Sequence, residues 1–204
     1  MKTIIEKPSK MTYEKAGQIL KDGGIVAFPT DTVYGLGAIY KDEKAVAKIF
    51  EAKGRDEKKP LSILVSDAKE VEQIADDICP EAIKLMEKYW PGALTLIFKK
   101  KAGIPDNVTA SGDTIGVRMP KSDVARDLIK AAGMPLAAPS ANTSGKRSSV
   151  SAEDVKEDLD GKIDMLIDGG ACDIGIASTV VDVTKKPFKI LREGVITKAM
   201  IENI

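Results

Sequence analysis

Short apolar runs alternate with amphipathic helical stretches along this whole chain, and no low-complexity linker or internal repeat interrupts them. That interleaving constrains the fold most, because a strand run and the apolar stripe of a helix each need the other as cover. Strands are expected at 24–29, 61–66, 94–99, 114–119, 135–138, 164–167, 178–183 and 188–192. Helices are expected at 12–22, 43–53, 80–89, 122–132 and 152–159, with a last turn or two from Thr197. Several strand runs are almost continuously apolar, as strands covered on both faces are. Thr184-Lys185-Lys186-Pro187 sits between two strand patterns and reads as a tight hairpin, so the sheet should be mixed rather than purely parallel. The expectation is one α/β domain over 1–204, a single twisted sheet with parallel and antiparallel strands flanked by helices.

The 204 residues are enough to bury roughly 70% of the unfolded surface, so the chain needs no staples to fold. Its 31 Lys plus Arg balance 31 Asp plus Glu, which leaves no global attraction to nucleic acid. The absence of histidine removes Ser-His-Asp and Cys-His nucleophile systems, His-ligated zinc and imidazole acid/base chemistry. Cys79 and Cys172 are far apart and neither lies in a C-x-x-C, so neither a metal knuckle nor a disulfide framework is expected. The first ten residues carry charges where a signal peptide needs an apolar stretch, and no run approaches the ~20 apolar residues of a membrane span. These features predict a cytoplasmic protein with no membrane partner.

The best-defined helix pattern begins after Asp42, an N-cap candidate, and carries Val46, Ile49 and Phe50 on one face before Gly54 at the C′ position. Lys53 and Arg55 therefore flank its end, with Lys58 and Lys59 before Pro60. Alone, such cations only complement the helix dipole. Four polar loops leave apolar strands. Pro29-Thr30-Asp31-Thr32-Val33-Tyr34-Gly35-Leu36-Gly37 gathers hydroxyls, a carboxylate and glycines where open α/β sheets hold ligands, but it lacks the third glycine of a dinucleotide fingerprint. The stretch 139–149 contains Ser140, Asn142, Gly145-Lys146-Arg147 and Ser148; it is not a Walker A sequence, yet its hydroxyls, amide and cations suit phosphate and ribose oxygens. Asp168-Gly169-Gly170 to Gly175 allows close backbone approach, and Leu191-Arg192-Glu193-Gly194 puts an arginine at a strand exit. Thr114 and Arg118 share one face of a strand.

In chain order, the 29–37 segment, Lys53-Gly54-Arg55, Tyr89-Trp90-Pro91-Gly92-Ala93-Leu94-Thr95, Val117-Arg118-Met119-Pro120, Ser140-Ala141-Asn142, Ser178-Thr179-Val180-Val181-Asp182 and Leu191-Arg192 resemble the YrdC-like family, the threonylcarbamoyl-AMP synthases of the TsaC type. The motif-bearing region runs from about 12 to 194. The resemblance implies a YrdC-like fold with a concave basic cavity. It also implies condensation of L-threonine, bicarbonate or CO2 and ATP, with Mg2+, to threonylcarbamoyl-AMP and pyrophosphate, and passage of the product to a tRNA threonylcarbamoyl-transferase complex. Carried over position by position, Lys53 and Arg55 would be catalytic at the ATP phosphates. Thr114, Ser140, Asn142, Ser148 and Arg192 would contact ATP, while Thr30, Arg118 and Ser178 would hold threonine. No tightly bound organic cofactor and no resident metal ligand set is implied.

Two departures fall on the threonine pocket. Many members have a histidine within the stretch that reads Pro60-Leu61-Ser62-Ile63-Leu64-Val65, and a glutamate where Ala177 stands. The additional C-terminal domain of longer members is not expected. The alternatives are a module that binds tRNA or double-stranded RNA without chemistry, and a nucleotide-binding paralogue lacking this activity. Aromatic residues are 4% of the chain and none interleaves with the basic clusters, which favours a small-molecule cavity over an RNA surface.

Overall fold

The computed structural model describes residues 2–203. In chain order the strands are β1 (Ile4–Glu6), β2 (Val26–Phe28), β3 (Gly35–Ile39), β4 (Ser62–Leu64), β5 (Ala75–Asp76), β6 (Leu94–Lys100), β7 (Thr114–Arg118), β8 (Leu136–Ala137), β9 (Met165–Ile167), β10 (Thr179–Asp182) and β11 (Lys189–Arg192). The helices are α1 (Lys10–Lys21), α2 (Glu43–Lys53), α3 (Pro80–Tyr89), α4 (Asp106–Thr109), α5 (Asp123–Ala132), α6 (Ala152–Leu159) and α7 (Lys198–Glu202). One sheet runs β1-β9-β2-β3-β8-β4-β7-β6-β10-β11, with β5 beside β6. Parallel pairs such as β4 with β7 and β6 with β10 mix with antiparallel ones such as β6 with β7 and β10 with β11, so the expected mixed sheet is present. No helix among the described residues is long and apolar enough to cross a membrane.

Local chemistry sets the helix limits. Asp42 accepts the N–H groups of Lys44 and Ala45, and Gly54 closes α2 in the left-handed region at φ 57°. Ser122 caps α5 through the Ala125 N–H, and Ser151 and Asp154 form a capping box on α6.

Period-2 alternation divides the buried residues of the sheet between two cores. Ala27, Leu36, Ile63, Leu96, Val117, Ala137, Leu166 and Val181 belong to the larger core with α2, α3, α4 and α6. On the opposite face Val26, Phe28, Leu136, Met165 and Ile167 pack with Ala16 and Leu20 of α1 and with Ala125, Leu128, Ile129 and Ala132 of α5. This second core covers β9, β2, β3 and β8 and reaches Leu64 of β4. Beyond it, β7, β6 and β10 present Gly116, Arg118, Thr95, Ile97 and Val180 on the same face, outside both cores.

The 29–37 segment, read as one loop, is a loop only to Tyr34; Gly35–Ile39 is strand β3, antiparallel to both β2 and β8. Its glycines hid it. At Gly37 a Cβ would lie 2.8 Å from the Phe28 ring and 3.1 Å from Leu136, so a strand residue with low strand propensity is required by its neighbours. The short strands β1 and β5 and the single-turn α4 were also unexpected; each is too brief to show a period.

Candidate functional site

The uncovered part of the second face is the floor of a cavity of about 230 Å3. Ser62 and Leu64 of β4, Thr95 of β6, Arg118 of β7, Val180 of β10 and Arg192 of β11 rise from the sheet, and Thr30, Thr32, Val33, Tyr34, Arg55, Ser140, Ser148 and Ser178 come from the loops around it. Three arginines line it and no carboxylate does. A larger groove of about 640 Å3 between β11, α3 and α7 contains none of the site residues expected from sequence.

Arg118 is the anchor. It is 6% exposed, and its guanidinium donates from Nε to the Gly92 carbonyl (2.9 Å), from Nη1 to Thr32 Oγ1 (2.7 Å) and from Nη2 to Asp31 Oδ1 (2.5 Å). Burial pulls its pKa below the usual arginine range, against the opposing pull of the Asp31 carboxylate. Among the described residues, Asp31 and Arg118 form the only ion pair in which both side chains are under a tenth exposed, at 4% and 7%. Asp31 Oδ1 also accepts the Lys121 N–H at 2.9 Å, while its Oδ2 is buried without a partner. The guanidinium is thus fixed on three sides, and of its five N–H groups only one on each terminal nitrogen is left for a ligand. A planar fork held this way is suited to a carboxylate.

Hydroxyls and two further cations surround it. Ser178 Oγ lies 2.8 Å from Thr95 Oγ1 and accepts from Arg192 Nη2 at 3.2 Å, and Arg192 Nε donates to the Ser178 carbonyl at 3.0 Å. Arg55 donates from Nη2 to the Pro60 carbonyl at 3.0 Å, and burial lowers its pKa. Thr30 lines the cavity, but its hydroxyl is engaged in its own turn: it accepts the N–H groups of Thr32 and Val33 and donates to the Val33 carbonyl at 2.7 Å.

Of the residues expected in the site, Thr30, Arg55, Arg118, Ser140, Ser148, Ser178 and Arg192 come together on this cavity. Lys53, Asn142 and Thr114 are outside its lining. Lys53 was expected against phosphate; it is 2% exposed, and its ammonium donates to the carbonyls of Ser140 and Asn142. Burial first, and then the neighbouring Arg55, bring its pKa down to about 8. Asn142 is turned inward, donating from Nδ2 to the carbonyls of Thr143 and Lys146. Thr114 shares the face of Arg118 but stands four residues away along β7, roughly 13 Å at strand rise.

The role of Asp31 and Thr32 as the holders of Arg118 was not read from sequence, nor were Ser62 and Thr95 read as cavity floor. A signal existed: hydroxyls at positions where strand alternation calls for buried apolar residues. Pro60, Leu61, Ser62 and Leu64 of the stretch that lacks the histidine line the cavity together with Ala177, so the two departures from the common pattern fall in one place.

A family model described as "Telomere recombination" (Sua5, YciO, YrdC) matches residues 18–194. The chain belongs to the Sua5/YciO/YrdC family. Among family members, the threonylcarbamoyl-AMP synthase of Pyrococcus abyssi is 47% identical over 98% of this chain and 59% of its own length. The enzyme of that name from Bacillus subtilis is 45% identical over 93% of this chain and 55% of its own. The crystal structure of P. abyssi Sua5 complexed with L-threonine superposes with a TM-score of 0.89 at 45% identity, covering 93% of this chain and 56% of that one. The chain therefore spans a little over half the length of these family members.

Proposed function

We propose that this chain forms threonylcarbamoyl-AMP from L-threonine, bicarbonate or CO2, and ATP, releasing pyrophosphate. The observation that carries this reading is the convergence of a rigidly held, buried Arg118 with Arg55 and Arg192 on one cavity floored by hydroxyls and free of carboxylates. Its similarity to enzymes named for that reaction, and to a Sua5 structure holding L-threonine, supports it.

In this reading the two remaining N–H groups of Arg118 take the threonine carboxylate, and the hydroxyls of Ser178 and Thr95 lie beside the amino acid. The threonine amine takes up CO2 as a carbamate. A carbamate oxygen then attacks the α-phosphorus of ATP, the bond to the β-phosphate oxygen breaks, and pyrophosphate leaves. No nucleophile from the protein is needed, which agrees with a cavity built of positioning and charge-compensating groups. Arg55 and Arg192 offset charge on the phosphates, and Ser140 and Ser148 donate to phosphate or ribose oxygens. At about 230 Å3 the cavity is below the roughly 300–1,000 Å3 of sites that enclose a whole ligand, so the nucleoside would extend along the open sheet floor toward Thr114.

Mg2+ fits as a counter-ion travelling with the nucleotide. No group of three or more Cys, Asp or Glu side chains able to hold a metal occurs among the described residues, and the cavity lining offers no carboxylate. Magnesium bound chiefly through phosphates and water needs none. The product, a reactive mixed anhydride, would pass to a transferase acting on tRNA. Direct binding of RNA is less well supported, since Tyr34, the one aromatic residue of the lining, is fully buried and offers no stacking platform.

The test is pyrophosphate release and incorporation of labelled bicarbonate in the presence of ATP, Mg2+ and L-threonine. Release should require all three reactants; release independent of threonine or of bicarbonate would overturn the reading.

A further inference from the structure

Three charged side chains are buried among the described residues. Asp31 and Arg118 pair with each other, whereas Lys53 has no carboxylate of the described residues within ion-pair distance. A buried ammonium without a counter-ion is costly unless carbonyl dipoles replace its water. Those dipoles are the main-chain carbonyls of Ser140 and Asn142. The Lys53 carbonyl in turn accepts the Ser144 N–H at 2.8 Å, so the last residue of α2 grips the 140–144 loop at three points.

The far side of this loop is held as well. Thr143 donates its N–H to Asp158 Oδ2 at 2.9 Å, and the Lys146 ammonium reaches Asp158 Oδ1 at 2.6 Å. Ser149 Oγ donates to the Ala141 carbonyl at 2.7 Å. What the clamped loop shows the cavity is Ser140 at its start and Ser148 near its end. The spacing of K-x-R and its distant S-x-N partner thereby gains a physical meaning: the lysine binds the backbone of the second motif, and the arginine two residues on faces the ligand.

We propose that Lys53 is a positioning residue, whose ammonium cross-links the carbonyls of Ser140 and Asn142 and so sets the loop that presents Ser140 and Ser148, without itself touching the anionic ligand. The proposal deepens the reading of the cavity as a triphosphate site and rests on it only for the ligand.

The test compares Lys53→Met, which keeps the aliphatic length and removes the donors, with Lys53→Arg, which keeps donors, and Arg55→Met, which alters the lining alone. Amide hydrogen exchange at Thr143, Ser144 and Lys146 should quicken at least tenfold in Lys53→Met, because charge-assisted bonds to the loop are lost. It should recover in part in Lys53→Arg and stay unchanged in Arg55→Met. Affinity for inorganic triphosphate should fall in both methionine variants. Unchanged loop exchange in Lys53→Met, with triphosphate affinity lost as in Arg55→Met, would show a direct contact and overturn the proposal.

If Lys53→Met does not fold, the wild type decides. With 15N-labelled lysine, the Lys53 Nζ resonance should stay in place on adding triphosphate, and a large displacement would overturn the proposal. Failure of the wild type to bind triphosphate would instead refute the reading of the cavity, and the exchange comparison would still judge Lys53.

Discussion

The two halves of one sheet face are built on the same backbone and have opposite fates. On β9, β2 and β8 every second residue is apolar, as in Met165 and Ile167, Val26 and Phe28, and Leu136, and α1 and α5 dock there. On β4, β7, β6 and β10 the same face carries Ser62, Gly116, Arg118, Thr95 and Val180, and the cavity opens there instead. A helix contributes apolar area at roughly 25 cal/mol per Å2 only where it meets apolar area. The half that withholds such area stays open, and the hydroxyls and guanidinium that keep helices away are the groups a polar ligand needs. The other face needs no such compromise, because the larger core covers it throughout.

The comparison is broken most severely at Arg118. Arg118→Ala should abolish pyrophosphate release and also lower unfolding stability by about 3–5 kcal/mol, since Asp31 would be left as an unpaired buried charge. Urea denaturation beside the activity assay checks both; a stable, active variant would mean that the open half is not organised around this residue. In the covered half, Leu128→Ala should cost about 2–5 kcal/mol because Leu128 is fully buried on α5, while the KM for threonine stays near the wild-type value.

Next in size is a pH effect at the rim of the cavity. The folded-state pKa of Lys53 is depressed from 10.5 to about 8, so between those values the unfolded chain binds more protons than the folded one. Stability should therefore rise as pH increases through that window, by up to about 3 kcal/mol, and the rise should be missing in Lys53→Met. Chemical denaturation at intervals from pH 7 to about 10.5 measures it. The smallest change tests the floor: Thr95→Val removes the hydroxyl beside Ser178 and should raise the KM for threonine about fivefold, near 1 kcal/mol, with little change in stability.

Much of this was legible in the residues themselves. Glu43–Lys53, Pro80–Tyr89 and Ala152–Leu159 are helices within the expected limits, because a capping side chain in the first and last, a proline at the start of the second, and the apolar periods of all three are local properties. The hairpin at 184–187 and the mixed sheet are also present as expected. Strand β3 was not legible, since its glycines answer to Phe28 and Leu136, neighbours that the fold alone supplies. The same holds for the site. The resemblance pointed to Arg118 and Ser178, which both line the cavity, but the direction of a lysine side chain is set by where the carbonyls are, and those belong to a loop nearly ninety residues away.

The amino-acid sequence by itself determined the class of fold, the helix limits, and the exclusion of any imidazole chemistry, because each depends on residue identity or on periods of a few residues. Only the tertiary structure decided which half of the sheet stays open, that Asp31, Thr32 and Gly92 fix Arg118, and that Lys53 grips a loop instead of facing the cavity. Those outcomes depend on burial and on hydrogen-bond partners far apart in the chain, and a buried charge takes whatever partner the packing places within reach.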